Sequence, residues 1–128
     1  MRKTLLLLSA VMLMACQESL EERCLREAKT FTKKNCPARL SDVITIDSMT
    51  FDKDTHTLHY SYTMTFNEAD TTFLQPDVWR KTLLRNLKDT PSMKPYLDAG
   101  YNVQYTYHSA ADPTKMVYDV TFTKKDYQ

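Results

Sequence analysis

Apolar and polar positions along the chain repeat in two rhythms. From Glu18 to Lys34, Leu20, Cys24, Ala28 and Phe31 recur at spacings of four, four and three, which is one face of a helical wheel. Acids gather at its start (Glu18, Glu21, Glu22) and lysines at its end (Lys29, Lys33, Lys34), as the helix dipole favours. Asn35-Cys36-Pro37 stops this helix, because the residue before a proline is pushed out of the α region. The period then falls to two. Leu58, Tyr60, Tyr62, Met64 and Phe66 alternate with His59, Ser61, Thr63 and Thr65, the pattern of a half-buried strand. Val43 to Phe51 pairs with it as a hairpin across the turn at Asp52 to His56. In that first strand Ile44 and Ile46 fall on the opposite parity to Met49 and Phe51, so a bulge is expected near Asp47 or Ser48.

The second half repeats the scheme. Pro76 opens a helix on which Trp79, Leu83, Leu84 and Leu87 keep helical spacing, and Pro91 closes it. A polar connection runs from Thr90 to Ala99. Tyr101, Val103, Tyr105 and Tyr107 alternate with Asn102, Gln104, Thr106 and His108; Met116, Tyr118, Val120 and Phe122 alternate with Val117, Asp119, Thr121 and Thr123. Overlaying the halves puts Leu25 on Trp79, Pro37 on Pro91, Phe51 on Tyr105 and Tyr60 on Tyr118, which suggests an internal duplication of shape. The fold class expected is α+β with order αββαββ, in units at about 18–66 and 75–123. Two helices pack on one face of a four-stranded antiparallel sheet. Inward tyrosines bring their hydroxyls to a partner or to the layer's edge.

One stretch has neither rhythm. Arg2 and Lys3 precede an apolar run that ends in Ala15-Cys16. The run is about a dozen residues, short of the roughly 20 needed to span a bilayer, and reads as a secretory signal peptide. Leu13-Met14-Ala15-Cys16 resembles the lipobox of bacterial lipoproteins. The resemblance implies a leader at 1–15, cleavage before Cys16, diacylglycerol on the Cys16 sulfur and a single mature domain at 16–128. The membrane is then a partner through that anchor. Gln17 stands where aspartate would signal inner-membrane retention in enterobacteria, so the analogy favours the outer membrane.

Charge narrows the partners. The seventeen Lys and Arg lose Arg2 and Lys3 with the leader, leaving fifteen against sixteen acids, a formal charge of −1. A near-neutral domain of mixed charge has no electrostatic footprint for nucleic acid and no polybasic segment to hold it on lipid. Cys24 and Cys36 remain for a bridge in an oxidising compartment. A straight helix would separate them by well over 10 Å, whereas a disulfide needs Cα atoms within roughly 7 Å. A bridge therefore requires a sharp fold-back at Lys34 and Asn35, and two separate thiols are the alternative.

The candidate binding face is the polar side of the sheet, carrying His59, Ser61, Thr63, Asn102, Gln104, Thr106, His108, Asp119 and Thr121. It offers neutral hydrogen-bonding groups to a protein, a peptide or a glycan, though threonine also suits any solvated strand. Ser61 with His59 or His108 and Asp119 has the residue types of a hydrolytic triad, but no nucleophile elbow or glycine-lined oxyanion loop accompanies them. Gly100 is the single glycine, which argues against phosphate-cradling loops. No catalytic residue, cofactor or metal is expected.

The segments Asn35 to Met49 and Leu58 to Thr63 resemble a recurring module of small exported bacterial proteins of unknown function, with an N-x-P helix stop, a "T-x-D-S" run and a "Y-x-Y-T" strand. At the level of topology the chain is similar to tandem αββ proteins of the PepSY and β-lactamase-inhibitor kinds, which act as inhibitors or periplasmic interaction modules. Topology alone does not fix function. The expected role is that of a non-catalytic, lipid-anchored envelope module engaging an envelope protein. The alternative is binding of a small molecule or glycan in a pocket between helices and sheet.

Overall fold

The computed structural model describes residues 17–65 and 75–128. The leader, Cys16 and Phe66 lie outside them.

The first helix, α1 (Leu20–Asn35), begins where its end groups are satisfied. Ser19 accepts from the Glu22 amide at 3.1 Å, and the Glu22 carboxylate accepts from the Ser19 amide at 3.4 Å, a capping box. Its apolar stripe buries Cys24 and Ala28 completely and packs on β2 (Ile44–Asp52). After β3 (Thr57–Met64), α2 (Pro76–Asp89) leads through a 3-10 turn at Pro91–Met93 and a short α3 (Lys94–Asp98) into β4 (Asn102–Ser109). β5 (Met116–Phe122) and α4 (Lys124–Tyr127) complete the order, and β1 is the two-residue strand Ala38–Arg39.

The sheet is five-stranded in sequence order, β1 to β5, and mixed rather than wholly antiparallel. β3 and β4 run parallel, with Thr57 opposite Asn102 and Met64 opposite Ser109. The cause is the connection between them. A helix that returns along the sheet delivers the next strand to the end at which the previous one began, and a strand–helix–strand unit is therefore parallel. The expected pattern of four antiparallel strands and two helices is corrected to five strands and four helices among the described residues. The added elements are short: β1 forms just after the Pro37 stop, the Thr90–Ala99 connection is largely helical, and α4 follows Phe122.

The first hairpin carries a bulge where the parities required one. Register shifts between Ile46 and Ser48, so Ile46, Met49 and Phe51 all face the core. A second shift, between Tyr107 and His108, sets Met116 opposite His108 and leaves Met116 56% exposed instead of inward. The core lies between the sheet's apolar face and the helices, and Leu58, Val103 and Phe122 are fully buried. Tyrosines tile its centre: Tyr60 stacks on Tyr105 at 5.3 Å and Tyr62 on Tyr107 at 4.6 Å between ring centroids. The hydroxyls find partners at the margins, Tyr96 on Glu27, Tyr127 on the Tyr101 carbonyl at 2.7 Å and Tyr118 on the Pro76 carbonyl at 3.3 Å.

Cys24 and Cys36 are free, and the bridge weighed for them is not formed. Cys24 sits inside α1 and Cys36 caps its end. Twelve helical steps separate them by about 18 Å along the axis, beyond the reach of a disulfide. Burial pushes the Cys24 thiol up to about 12, so it behaves as a small apolar side chain.

Beyond its bulge the outer edge of β2 is closed by α1. The Thr32 hydroxyl donates to the Met49 carbonyl at 2.7 Å and accepts from the Met49 amide at 2.9 Å. Replacing Thr32 by the isosteric valine strands both backbone groups, and we expect a loss of about 1–3 kcal/mol in urea unfolding. An unchanged midpoint would show that water replaces the hydroxyl without cost.

Candidate functional site

Pleating decides which side chains share the open face. Register sets them in rows across the strands: Thr50, His59, Gln104 and Thr121; Ser48, Ser61, Thr106 and Asp119; Thr63, His108 and Met116. Strands about 4.8 Å apart bring row neighbours into contact. His59, Ser61, Thr63, Gln104, Thr106, His108, Asp119 and Thr121 fall in these rows, with Asn102 in the row of Thr57, whereas Val117 falls in the bulge of β5 and has no row.

Four of them form a connected chain. His59 Nε2 lies 2.7 Å from Thr106 Oγ1, Thr106 donates to Asp119 Oδ1 at 2.6 Å, and Gln104 Nε2 donates to the same oxygen at 2.9 Å. Because the threonine proton goes to the carboxylate, the histidine is the donor in its bond to Thr106. This order is not that of a hydrolytic triad, in which the hydroxyl donates to imidazole and imidazole donates to carboxylate. Here the hydroxyl sits in the middle as a bridge, and Thr106 is only 4% exposed. Sequence patterning placed all three groups on one face but not the bridging role of Thr106. Asp47, the bulge residue, accepts from Thr63 Oγ1 at 2.6 Å. His108 Nδ1 is buried without a hydrogen-bond partner.

Burial holds His59 below the ordinary histidine value of 6.5; Asp119 opposes the shift and His108 adds to it. The folded protein therefore takes up this proton less readily than the unfolded chain. Stability is unaffected by His59 above 6.5 and falls as pH drops from 6.5 toward the depressed folded value. The urea midpoint should accordingly be lower at pH 5.5 than at pH 7.5, and His59→Gln should flatten that part of the dependence. An equal slope in the variant would assign the titration elsewhere.

At the turn end of this face, Thr50, Asp52, Thr55, Thr57, His59, Asn102 and Gln104 line a shallow recess of about 560 Å3. Hydroxyls and amides dominate its wall. A second groove, of about 410 Å3, lies between α1 and the β2 edge, lined by Leu25, Ala28, Lys29, Thr32, Lys33, Met49, Thr50 and Phe51. The tyrosines of β3 and β4 stack on one another as packed core. Among the described residues no group of three or more His, Cys, Asp or Glu is placed to hold a metal ion.

A family model described as a domain of unknown function (DUF8479) matches residues 19–118. No curated protein matches the chain in sequence. Three solved structures share its fold. A Pseudomonas aeruginosa protein described as secreted superposes with a TM-score of 0.68 at 15% identity, covering 88% of this chain and 100% of that one. The type 2 secretion system pilotin EpsS of Vibrio vulnificus gives 0.64 at 14% identity over 85% of this chain and 92% of its own. The type II secretion system pilotin AspS of Vibrio cholerae gives 0.61 at 13% identity over 84% and 91%.

Proposed function

We propose that this chain, which belongs to the family described as a domain of unknown function (DUF8479), is a lipid-anchored, non-catalytic module of the bacterial cell envelope that binds an envelope protein. The observation that carries the reading is the pairing of a lipobox-like leader with a fold that superposes on two secretion-system pilotins over 85% and 84% of the chain. By that likeness the partner is a component of an envelope secretion apparatus. The Cys16 lipid would hold the domain at the outer membrane. Only Gln17 and Glu18 separate Cys16 from the Ser19 cap, so the domain would sit against the bilayer surface.

The open sheet face supplies the binding chemistry. It presents hydroxyl, amide and imidazole groups in rows and lacks the proton relay that a nucleophile requires. Asp119 is held in place by two donors, so the polar surface is preorganised for a partner.

In-cell crosslinking of the full-length protein in its native host tests this reading, with Cys16→Ser as control. One dominant protein partner, lost in the control, is the expected result. Absence of any partner above background would overturn it in favour of a second reading, a hydroxyl-rich small molecule or glycan in the 560 Å3 recess.

A further inference from the structure

The two edges of the sheet are built differently. On one side β1 pairs with Thr45 and Ile46, and Thr32 then takes both backbone groups of Met49. On the other side β5 is the last strand, and among the described residues no strand pairs beyond it.

The direction of the β5 backbone groups follows from one fixed bond. The Asn102 amide donates to the His56 carbonyl, so Asn102, Gln104 and Thr106 turn their backbone groups toward β3. Val103, Tyr105 and Tyr107 then turn theirs toward β5, where they meet Phe122, Val120 and Tyr118. Alternation leaves the N–H and C=O of Asp119 and Thr121 pointing outward. A row of unpaired groups of this kind is a template for another strand.

We propose that β5 pairs antiparallel with β5 of a second copy of this chain, about a twofold axis through Val120. Residues opposite each other in an antiparallel pair share a face, which restricts the axis to a residue position. An axis at Asp119 would set two carboxylates against each other. An axis at Thr121 would run Tyr118 into Lys124, where the strand has already become α4. The Val120 axis sets Val120 opposite Val120, Tyr118 opposite Phe122 and Asp119 opposite Thr121. It makes the outward groups of Asp119 and Thr121 the hydrogen-bonding pairs and keeps 118–122 wholly within β5. The interface is self-complementary, as twofold symmetry demands. β5 holds no proline, and its single charge, Asp119, is turned onto the sheet face by Thr106 and Gln104, so two common devices that blunt an edge are missing. The bulge near Val117 limits the paired segment at its start. The product is a continuous sheet of two copies with their polar faces joined.

The test places a cysteine on the axis. Opposed Cβ atoms in such a pair lie about 4.5–5.5 Å apart, so Val120→Cys in the full-length chain should give a covalent dimer on mild oxidation. Asn86→Cys, on the exposed side of α2, should not. Adding Thr121→Pro to Val120→Cys removes an outward N–H without touching the ladder to β4, and the dimer yield should fall at least tenfold while circular dichroism stays unchanged. The same dimer is expected in a Cys16→Ser background at matched concentration, so the result is separate from the anchoring reading. Dimer yield from Val120→Cys no higher than from Asn86→Cys would overturn the proposal, whether or not the proline variant folds.

Discussion

Cys16→Ser moves the protein out of the membrane fraction, with at least a tenfold drop in its membrane-bound share. The anchor would carry almost all of the attachment. Each buried CH2 of an acyl chain contributes about 0.8 kcal/mol; one chain holds a protein only marginally, and two hold it stably. Little else among the described residues can substitute. Among the described residues no helix is long and apolar enough to cross a membrane, and a chain cleaved before Cys16 would carry a formal charge of −1, with no general attraction to anionic lipid. Fractionation with and without the substitution makes the comparison directly. A serine variant that sediments with membranes would sink the lipoprotein reading.

Phe122→Ala costs about 3–5 kcal/mol, the range for an aromatic core truncation. Phe122 is fully buried and lies at the end of β5, where sheet, α2 and α4 meet. Its ring packs edge-on to Tyr105 at 6.0 Å, and the Arg80 guanidinium sits 5.2 Å above its centroid. Arg80 also pairs with Asp126 at 2.6 Å, so loss of the ring loosens the contact that holds α4 to α2. At roughly 4 °C per kcal/mol for a domain of this size, the thermal midpoint should drop by about 12–20 °C. Thermal unfolding followed by circular dichroism measures it. A drop under about 4 °C would mean that the ring does not contribute to the core as its burial implies.

Local patterns carried most of the fold. The stripe of Leu20, Cys24, Ala28 and Phe31 marked α1, and the clash of parities between Ile46 and Met49 announced the bulge at Asp47. The tyrosine alternation placed the core side of β3 and β4 correctly. Direction between β3 and β4 was not legible, because it depends on how α2 returns across the sheet and not on any residue within either strand. Met116 misled because a second bulge reversed its face, and alternation alone carries no mark of that shift. For the candidate site, patterning grouped the polar face but not its wiring. The His59–Thr106–Asp119 order depends on parallel register between β3 and β4, which sets His59 in the row next to the one that holds both Thr106 and Asp119. The role of Thr32, which closes the β2 edge, appears only when α1 is laid over Met49.

The central claim is that the polar sheet face engages an envelope protein. A photo-crosslinking residue placed at Ser61, in the middle of that face, compared with one at Asn86 on the outer side of α2, tests it most directly in the native host. The account predicts a single protein adduct from position 61 and none from position 86. An adduct from position 86 alone would contradict it and place the partner on the helical side.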